Sequence, residues 1–257
     1  MSSKKKENKN IVKNKIKDAV KKPITKITVE SKTLTHFINA VATCNNEVRV
    51  TASDKALHVQ TVDSANVMML IADCECTSEI PEGALTKFGI DVAILKKILV
   101  HSKDCRVTLC VDGEHLRAIY GRFTAKIPIS DENVLRKDPT LPKMPSLDTE
   151  FEMPGKYLNE ISRFVGRTGR IILSTKNGVV FAAAEDGDLC IREVVGTCKK
   201  SSQARSLYSN EYIRSIAGIV KTTEIKVTMG IDHPVKILSE QDGCKLEYLL
   251  TPRIEAD

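Results

Sequence analysis

The sequence predicts an α+β protein made of two tandem units, each with two helices on an antiparallel sheet. Three observations carry that expectation. Segments alternating between apolar and polar residues greatly outnumber those with helical spacing. The order strand, helix, three strands, helix, three strands occurs twice along the chain. Between the two occurrences lies a connector, Ile129 to Phe151, with Pro139, Pro142 and Pro145 inside it and Pro128 and Pro154 just outside, so that five of the nine prolines fall between positions 128 and 154. Proline removes a backbone donor and pushes its predecessor toward extended conformations, which excludes a helix or a central strand there.

The first unit opens with a short strand at Lys26 to Glu30, followed by Ser31 to Thr43, where Leu34, Phe37, Ile38 and Val41 recur at helical spacing. The opposite stripe of that helix is Lys32, His36, Asn39 and Thr43. Strands are expected at Glu47 to Ala52, Ala56 to Val62 and Asn66 to Cys76. A second helix begins near Asp91, with Val92, Leu95, Ile98 and Leu99 inward and Lys96, Lys97 and His101 outward. Three strands follow, Arg106 to Val111, His115 to Tyr120 and Arg122 to Ile129, the first two joined at Asp112-Gly113, a hairpin signal.

Past the connector the order returns. Gly155 to Val165 reads as a helix with Leu158, Ile161 and Val165 inward and Lys156, Glu160, Arg163 and Arg167 along the other face. Strands at Arg170 to Ser174, Val179 to Ala184 and Asp188 to Val195 are separated by Asn-Gly and Asp-Gly turns. Asn210 to Val220 is the fourth helix, with Arg214 and Lys221 outward, and strands at Glu224 to Met229, Val235 to Glu240 and Lys245 to Leu250 close the chain. The corresponding helix-plus-strand stretches of the two units stand about 120 residues apart. The boundaries expected are a disordered basic arm at 1–25, a first domain at 26–129, a connector at 130–147 and a second domain at 148–257.

The formal net charge of +6 divides unevenly. Residues 1 to 26 hold ten lysines against Glu7 and Asp18, a local +8, so the remainder carries −2. The leading segment is lysine-rich and poor in large apolar residues, the composition of a solvated arm. In the folded part, basic residues gather on the helices, on the sides turned away from the sheets. No apolar run approaches the ~20 residues of a membrane span, and no apolar h-region with a cleavage site follows the N-terminus, so an intracellular protein without membrane attachment is expected. The eight cysteines then read as thiols, most of them in strand-like apolar runs. Cys74 and Cys76 would share a strand face, but no CxxC pair or matching His completes a zinc set, so neither a metal nor a cofactor is expected.

Several local motifs give the tandem arrangement a family. These are Thr61-Val-Asp-Ser-Ala-Asn-Val67, Ile94-Leu-Lys-Lys-Ile-Leu99, Leu141-Pro142 in the connector, Ser206-Leu-Tyr-Ser209 before the fourth helix, and the ending Tyr248-Leu-Leu-Thr-Pro-Arg-Ile-Glu255. In order and spacing, from about Lys26 to Asp257, the chain resembles the sliding clamps of the proliferating cell nuclear antigen (PCNA) family, the archaeal members most closely. It departs from them at Ser64, where a proline is usual, at Thr251, where an alanine is usual, and in the lysine arm. The resemblance implies two DNA-clamp domains per chain and a homotrimeric, pseudo-sixfold ring around duplex DNA. Its job would be to tether DNA polymerase and other replication and repair proteins as a processivity factor, with a clamp loader as a further partner. Its compartment would be the cytoplasm or nucleoid of an archaeon, or the nucleus of a eukaryote.

The resemblance also assigns residues. Lys96, Lys97, Lys156, Arg163, Arg167, Arg214 and Lys221 would face DNA, neutralising phosphates without reading bases, as a sliding ring requires. Asn66, Val67, Met69, Leu141, Pro142, Pro234, Thr251 and Pro252 would form the groove for short client motifs. Arg122, Thr124, Lys126, Leu189, Ile191 and Glu193 would lie on the two edge strands that join subunits.

Other readings compete with this one. An enzyme lacks support, because P-loop, GxGxxG, HExxH and GxSxG motifs are all missing and the five histidines lie in separate elements. Asp54, Asp63 and Asp73 are assigned to capping and solubility near turns and strand ends. A single-strand or RNA-binding module is suggested by Gly166-Arg-Thr-Gly169 within basic residues, but a strand follows it and aromatic residues make up only 4% of the chain. A subunit of a heteromeric or checkpoint clamp, or a viral processivity factor, keeps the fold and changes the role.

Overall fold

A computed structural model describes residues 24–253 apart from 132, 134, 143–146, 148 and 199–202. Most of the basic arm, Met144 and Pro145 of the connector, and Ile254 and Glu255 of the tail lie outside the described residues. The first unit contains β1 (Thr25–Glu30), α1 (Ser31–Val41), β2 (Glu47–Ala52), β3 (Ala56–Val62), β4 (Met68–Glu75), β5 (Thr77–Ser78), β6 (Thr86–Asp91), α2 (Val92–Leu99), β7 (Arg106–Val111), β8 (His115–Tyr120) and β9 (Phe123–Pro128). The second contains β10 (Thr149–Pro154), α3 (Gly155–Ile161), β11 (Arg170–Lys176), β12 (Val179–Asp186), β13 (Leu189–Thr197), β14 (Ala204–Ser209), α4 (Asn210–Val220), β15 (Glu224–Met229), β16 (Val235–Gln241) and β17 (Cys244–Leu250).

The structure corrects the expected elements at several points. β10 begins at Thr149, inside the stretch expected as a connector, and a further strand not read from the sequence, β14 in the second unit and β6 in the first, runs directly into each unit's second helix. Gly89 inside β6 obscured it. A Cβ there would meet Ser130 O at 2.6 Å and a Leu135 methyl at 2.6 Å, so the connector can cross this strand only over a glycine. The helix expected to Val165 ends at Ile161, and the strand expected from Asn66 begins at Met68, because Asn66 turns the chain with φ of 58°.

All strand pairs are antiparallel, in three sheets. The five-stranded sheet runs β5-β1-β7-β8-β9 and the four-stranded one β13-β12-β11-β14. The eight-stranded sheet, β10-β15-β16-β17-β4-β3-β2-β6, takes four strands from each unit and joins them where β4 pairs with β17. The helices form one layer in which α1 touches α2, α3 touches α4, and α1 reaches α4 across the units. Gly155 permits the α3 contact, since a Cβ there would collide with the Val220 carbonyl oxygen at the end of α4. The apolar stripe of α1, Leu34, Phe37, Ile38 and Val41, is buried over the joint between units, and one contiguous apolar core runs through both.

Candidate functional site

The turn between β3 and β4 is built on one carboxylate. Asp63 is only 7% exposed, and its Oδ1 accepts hydrogen bonds from the amides of Val67 and Met68, both at 2.8 Å, while Oδ2 accepts from the Ala65 amide at 3.1 Å and from the Tyr212 hydroxyl at 2.9 Å. The sequence assigned Asp63 to capping and solubility; the structure makes it the buried organiser of this turn. Beyond the turn, β4 places Met69 directly opposite Val62 on β3 and Leu249 on β17. These three side chains share one sheet face and form an apolar floor.

The connector lies along that face and is tied down at several points. Leu135 is buried beside Gly89, Arg49 on β2 meets Asp138 at 2.9 Å, and Gln60 on β3 donates to the Pro139 carbonyl at 2.5 Å. Arg136 donates to the Asp63 carbonyl at 2.9 Å and to the Asn66 side chain, so the connector also braces the β3–β4 turn. From the other side the chain's end closes in, with the Thr251 amide donating to the Val67 carbonyl at 3.0 Å. Between connector, floor and tail runs an open groove of about 640 Å³.

Of the residues assigned to a partner groove, Asn66, Val67, Met69, Pro142, Pro234 and Thr251 line this one. Leu141 and Pro252 do not. Thr140 and Pro142 line the groove, while Leu141 between them does not and is 58% exposed. Sequence reasoning missed Val62, Arg136, Pro139 and Leu249 as lining residues. The period-two pattern of β3 and β17 could have located Val62 and Leu249. Nothing local marks Arg136, whose acceptors lie seventy or more positions earlier.

The helix layer carries the second candidate site. Lys96, Lys97, Lys156, Arg163, Arg167, Arg214 and Lys221 are all exposed, and among the described residues none forms an ion pair. Lys156 rests its ammonium group 5.2 Å from the Tyr157 ring centre. Arg163 and Arg167 sit on the turn after α3, which Asn210 holds from the start of α4. Its buried side-chain amide donates to the carbonyls of Ser162, Val165 and Gly166 at 2.9, 3.2 and 2.9 Å.

The proposed subunit-joining strands both end their sheets, β9 the five-stranded and β13 the four-stranded one. Thr124, Lys126 and Leu189 are exposed on them, while Ile191 and Glu193 are half-buried. Arg122 falls in the turn before β9, with its guanidinium 5.4 Å from the Phe123 ring centre. The side chains that most clearly leave apolar surface open on these edges are Phe123, 52% exposed, and Val194. Neither was singled out from the sequence.

Comparison with known proteins decides the family. No family model matches the chain. The DNA polymerase sliding clamp of Methanocorpusculum labreanum is 30% identical over 249 residues, which cover 90% of this chain and 99% of that protein. The chain belongs to the DNA polymerase sliding clamp family. The sliding clamp of Archaeoglobus fulgidus is 26% identical over 250 residues, covering 88% of this chain and 96% of that protein. A solved structure of A. fulgidus PCNA, with the C-terminal region of FEN-1 bound, superposes with a TM-score of 0.81 at 23% identity, covering 91% of this chain and all of that one. The PCNA of Entamoeba histolytica gives 0.78 at 14% identity over 90% of this chain and 99% of that one. The clamp fold of this family is therefore present here from the first described strand to the last.

Proposed function

We propose that three copies of this chain close into a ring around duplex DNA, slide along it, and tether DNA polymerase and other clients through the groove beside the connector. Family membership supports the role, and one observation carries the mechanism. Seven exposed cations without an ion pair among the described residues gather on the helix layer, Lys96, Lys97, Lys156 and Arg214 on the helices and Arg163, Arg167 and Lys221 just past their ends, on a molecule that also holds an apolar groove. Each such cation neutralises phosphate without reading a base, so binding is independent of sequence and the ring is free to translate. The chain acts as a scaffold and carries no catalysis of its own. The domain division at 26–129, 130–147 and 148–257 belongs to the same reading, with the connector serving as a client platform rather than a passive link.

Edge strands are aggregation hazards unless they are covered or closed on themselves. Pairing β9 of one copy with β13 of the next closes both and covers Phe123 and Val194. Light scattering tests the assembly: a mass three times 28.4 kDa is expected. Retention on a nicked circular plasmid, lost when the plasmid is linearised, tests encirclement. A monomer that binds linear and circular DNA alike would overturn the ring.

A further inference from the structure

The joint between the two units ends on a pair of cysteines. In the β4–β17 ladder Cys74 stands directly opposite Cys244. The backbone hydrogen bonds of this ladder define what kind of pair they form. Glu75 N donates to Gly243 O at 2.9 Å, and at the other end Thr251 N donates to Val67 O at 3.0 Å. Both bonds join directly opposed residues, so odd-numbered residues on the β4 side of the ladder make the hydrogen-bonded pairs and even-numbered ones the others. Cys74 and Cys244 therefore form a non-hydrogen-bonded pair, in which opposed Cα atoms approach to about 4.5 Å and side chains lie closest. A disulfide needs Cα atoms about 4.4–6.8 Å apart. Among the described residues no other two cysteines are opposed across paired strands.

Both thiols are free. Each also reaches a neighbouring carbonyl, Cys244 Sγ donating to Thr33 O on α1 at 3.3 Å and Cys74 Sγ approaching Glu75 O at 3.8 Å. They are buried, Cys244 at 3% exposure, yet both line an open cleft of about 510 Å³ beside the β16–β17 turn. Four carboxylates, Asp73, Glu75, Glu240 and Asp242, line the same cleft against the single ammonium group of Lys245. That charge repels anionic oxidants and admits small neutral ones.

We propose that Cys74 and Cys244 are a modification site, a reversible disulfide that staples the two units across their shared sheet when hydrogen peroxide enters the cleft. One thiolate attacks the peroxide. A sulfur–oxygen bond forms, the oxygen–oxygen bond breaks, and the departing hydroxide takes up a proton to leave as water. The sulfenic acid so formed is attacked by the facing sulfur; the sulfur–sulfur bond forms, the sulfur–oxygen bond breaks, and a second water leaves. Two thiols lose two electrons and one peroxide becomes two waters. The Cys244 thiol beside it and burial push the Cys74 thiol well above its ordinary range, so the reaction is slow near neutral pH and quickens as pH rises. Thiols reverse the bond by exchange, attacking one of its sulfurs and regenerating the two thiols.

The test uses the full chain in its native assembly. After peroxide treatment, free thiols are alkylated, the protein is digested without reductant, and the peptides are mapped by mass. A peptide joining Cys74 to Cys244, lighter by two hydrogens than its parts and released by dithiothreitol, is expected, together with an upward shift of several degrees in Tm that the same reductant reverses. Cys74→Ala and Cys244→Ala should each abolish the linked peptide and the shift. The mapping of the unmodified chain needs no variant to fold. Recovery of both cysteines as alkylated thiols or as sulfinic acids, under conditions that oxidise the exposed Cys190, overturns the proposal, as does a linked peptide pairing either with a different cysteine.

Discussion

The hydroxyl of Tyr212 on α4 donates to Oδ2 of Asp63 at 2.9 Å, joining residues 149 positions apart in different units. Asp63 in turn holds the amides of Val67 and Met68, so the helix that carries Arg214 and the turn that carries the groove share one buried acceptor. Replacing Tyr212 by Phe removes one of the bonds that fix the turn and leaves the apolar packing. A net bond of this type contributes about 1 kcal/mol, so client-peptide affinity should fall about fivefold in calorimetry while retention on circular DNA is unchanged. Equal affinity would show that the turn stands without its tie to α4. Burial pushes the Tyr212 hydroxyl up to about 12. Its contribution to stability is therefore complete below pH 10 and is lost as pH rises through 12, and the Phe variant should lack that part of the alkaline loss.

Leu141 tests whether clients extend past the groove. Its side chain is mostly exposed and lies outside the groove lining, while Thr140 and Pro142 beside it line the groove. A client that packs on Leu141 beyond the groove would lose about 1 kcal/mol of apolar burial on truncation, so Leu141→Ala should weaken peptide binding about fivefold with Tm and assembly unchanged. Affinity within twofold of the unmodified chain would confine clients to the floor of Val62, Met69 and Leu249.

Phe123 tests the ring. Phe123→Asp places a carboxylate on the exposed edge of β9, where a neighbouring strand would have to desolvate it, and should convert the trimer to the 28.4 kDa monomer in light scattering. The monomer should keep its Tm to within a few degrees, since Phe123 is 52% exposed, its ring stacked on Tyr120 with the Arg122 guanidinium over it. A trimer that survives the change would move the junction elsewhere.

Charge reversal tests the helix layer. For every duplex phosphate that a variant no longer neutralises, the slope of log K against log salt should fall by about 0.9, so Lys96→Glu with Arg214→Glu should flatten it by about two per copy. The weakening should be the same on every DNA sequence. A dependence on sequence would contradict a sliding ring.

His36 gives a pH signature to the joint between units. Its Nε2 is buried without a hydrogen-bond partner among the described residues, in a pocket that also holds Lys32, Lys103, Asp104 and Asp242. Burial lowers its pKa, aided by Lys32 and opposed by Asp242. A base with a depressed folded pKa contributes stability above its unfolded value of 6.5 that is lost as pH falls through the folded value. Tm should decline more steeply below pH 6.5 for the unmodified chain than for His36→Gln, and parallel curves would assign the decline to other groups.

Much of the fold was legible because its signals are local. Helical spacing located α1, α2 and α4 nearly to the residue, and Asp-Gly and Asn-Gly turns separated the strands between them. The missing elements had their local signal masked by tertiary demands. β6 carries Gly89 for the connector's sake, and α3 stops at Ile161 because Asn210, far along the chain, captures the turn that follows. Of the thirteen residues that line the groove, six were named from the sequence through resemblance to a family. Arg136, Asp63 and Tyr212 were not, because their meaning lies in which distant partner each one meets, and a single sequence does not record distance in space.

The pairing of β4 with β17 also sets the order of events at the ribosome. Met68 to Glu75 is synthesised well before its partner, Cys244 to Leu250. At about 5–20 residues per second the delay is roughly 10–30 s. Throughout that interval β4 lacks the partner it has in the folded chain, and an unpaired apolar strand edge is a template for wrong pairing.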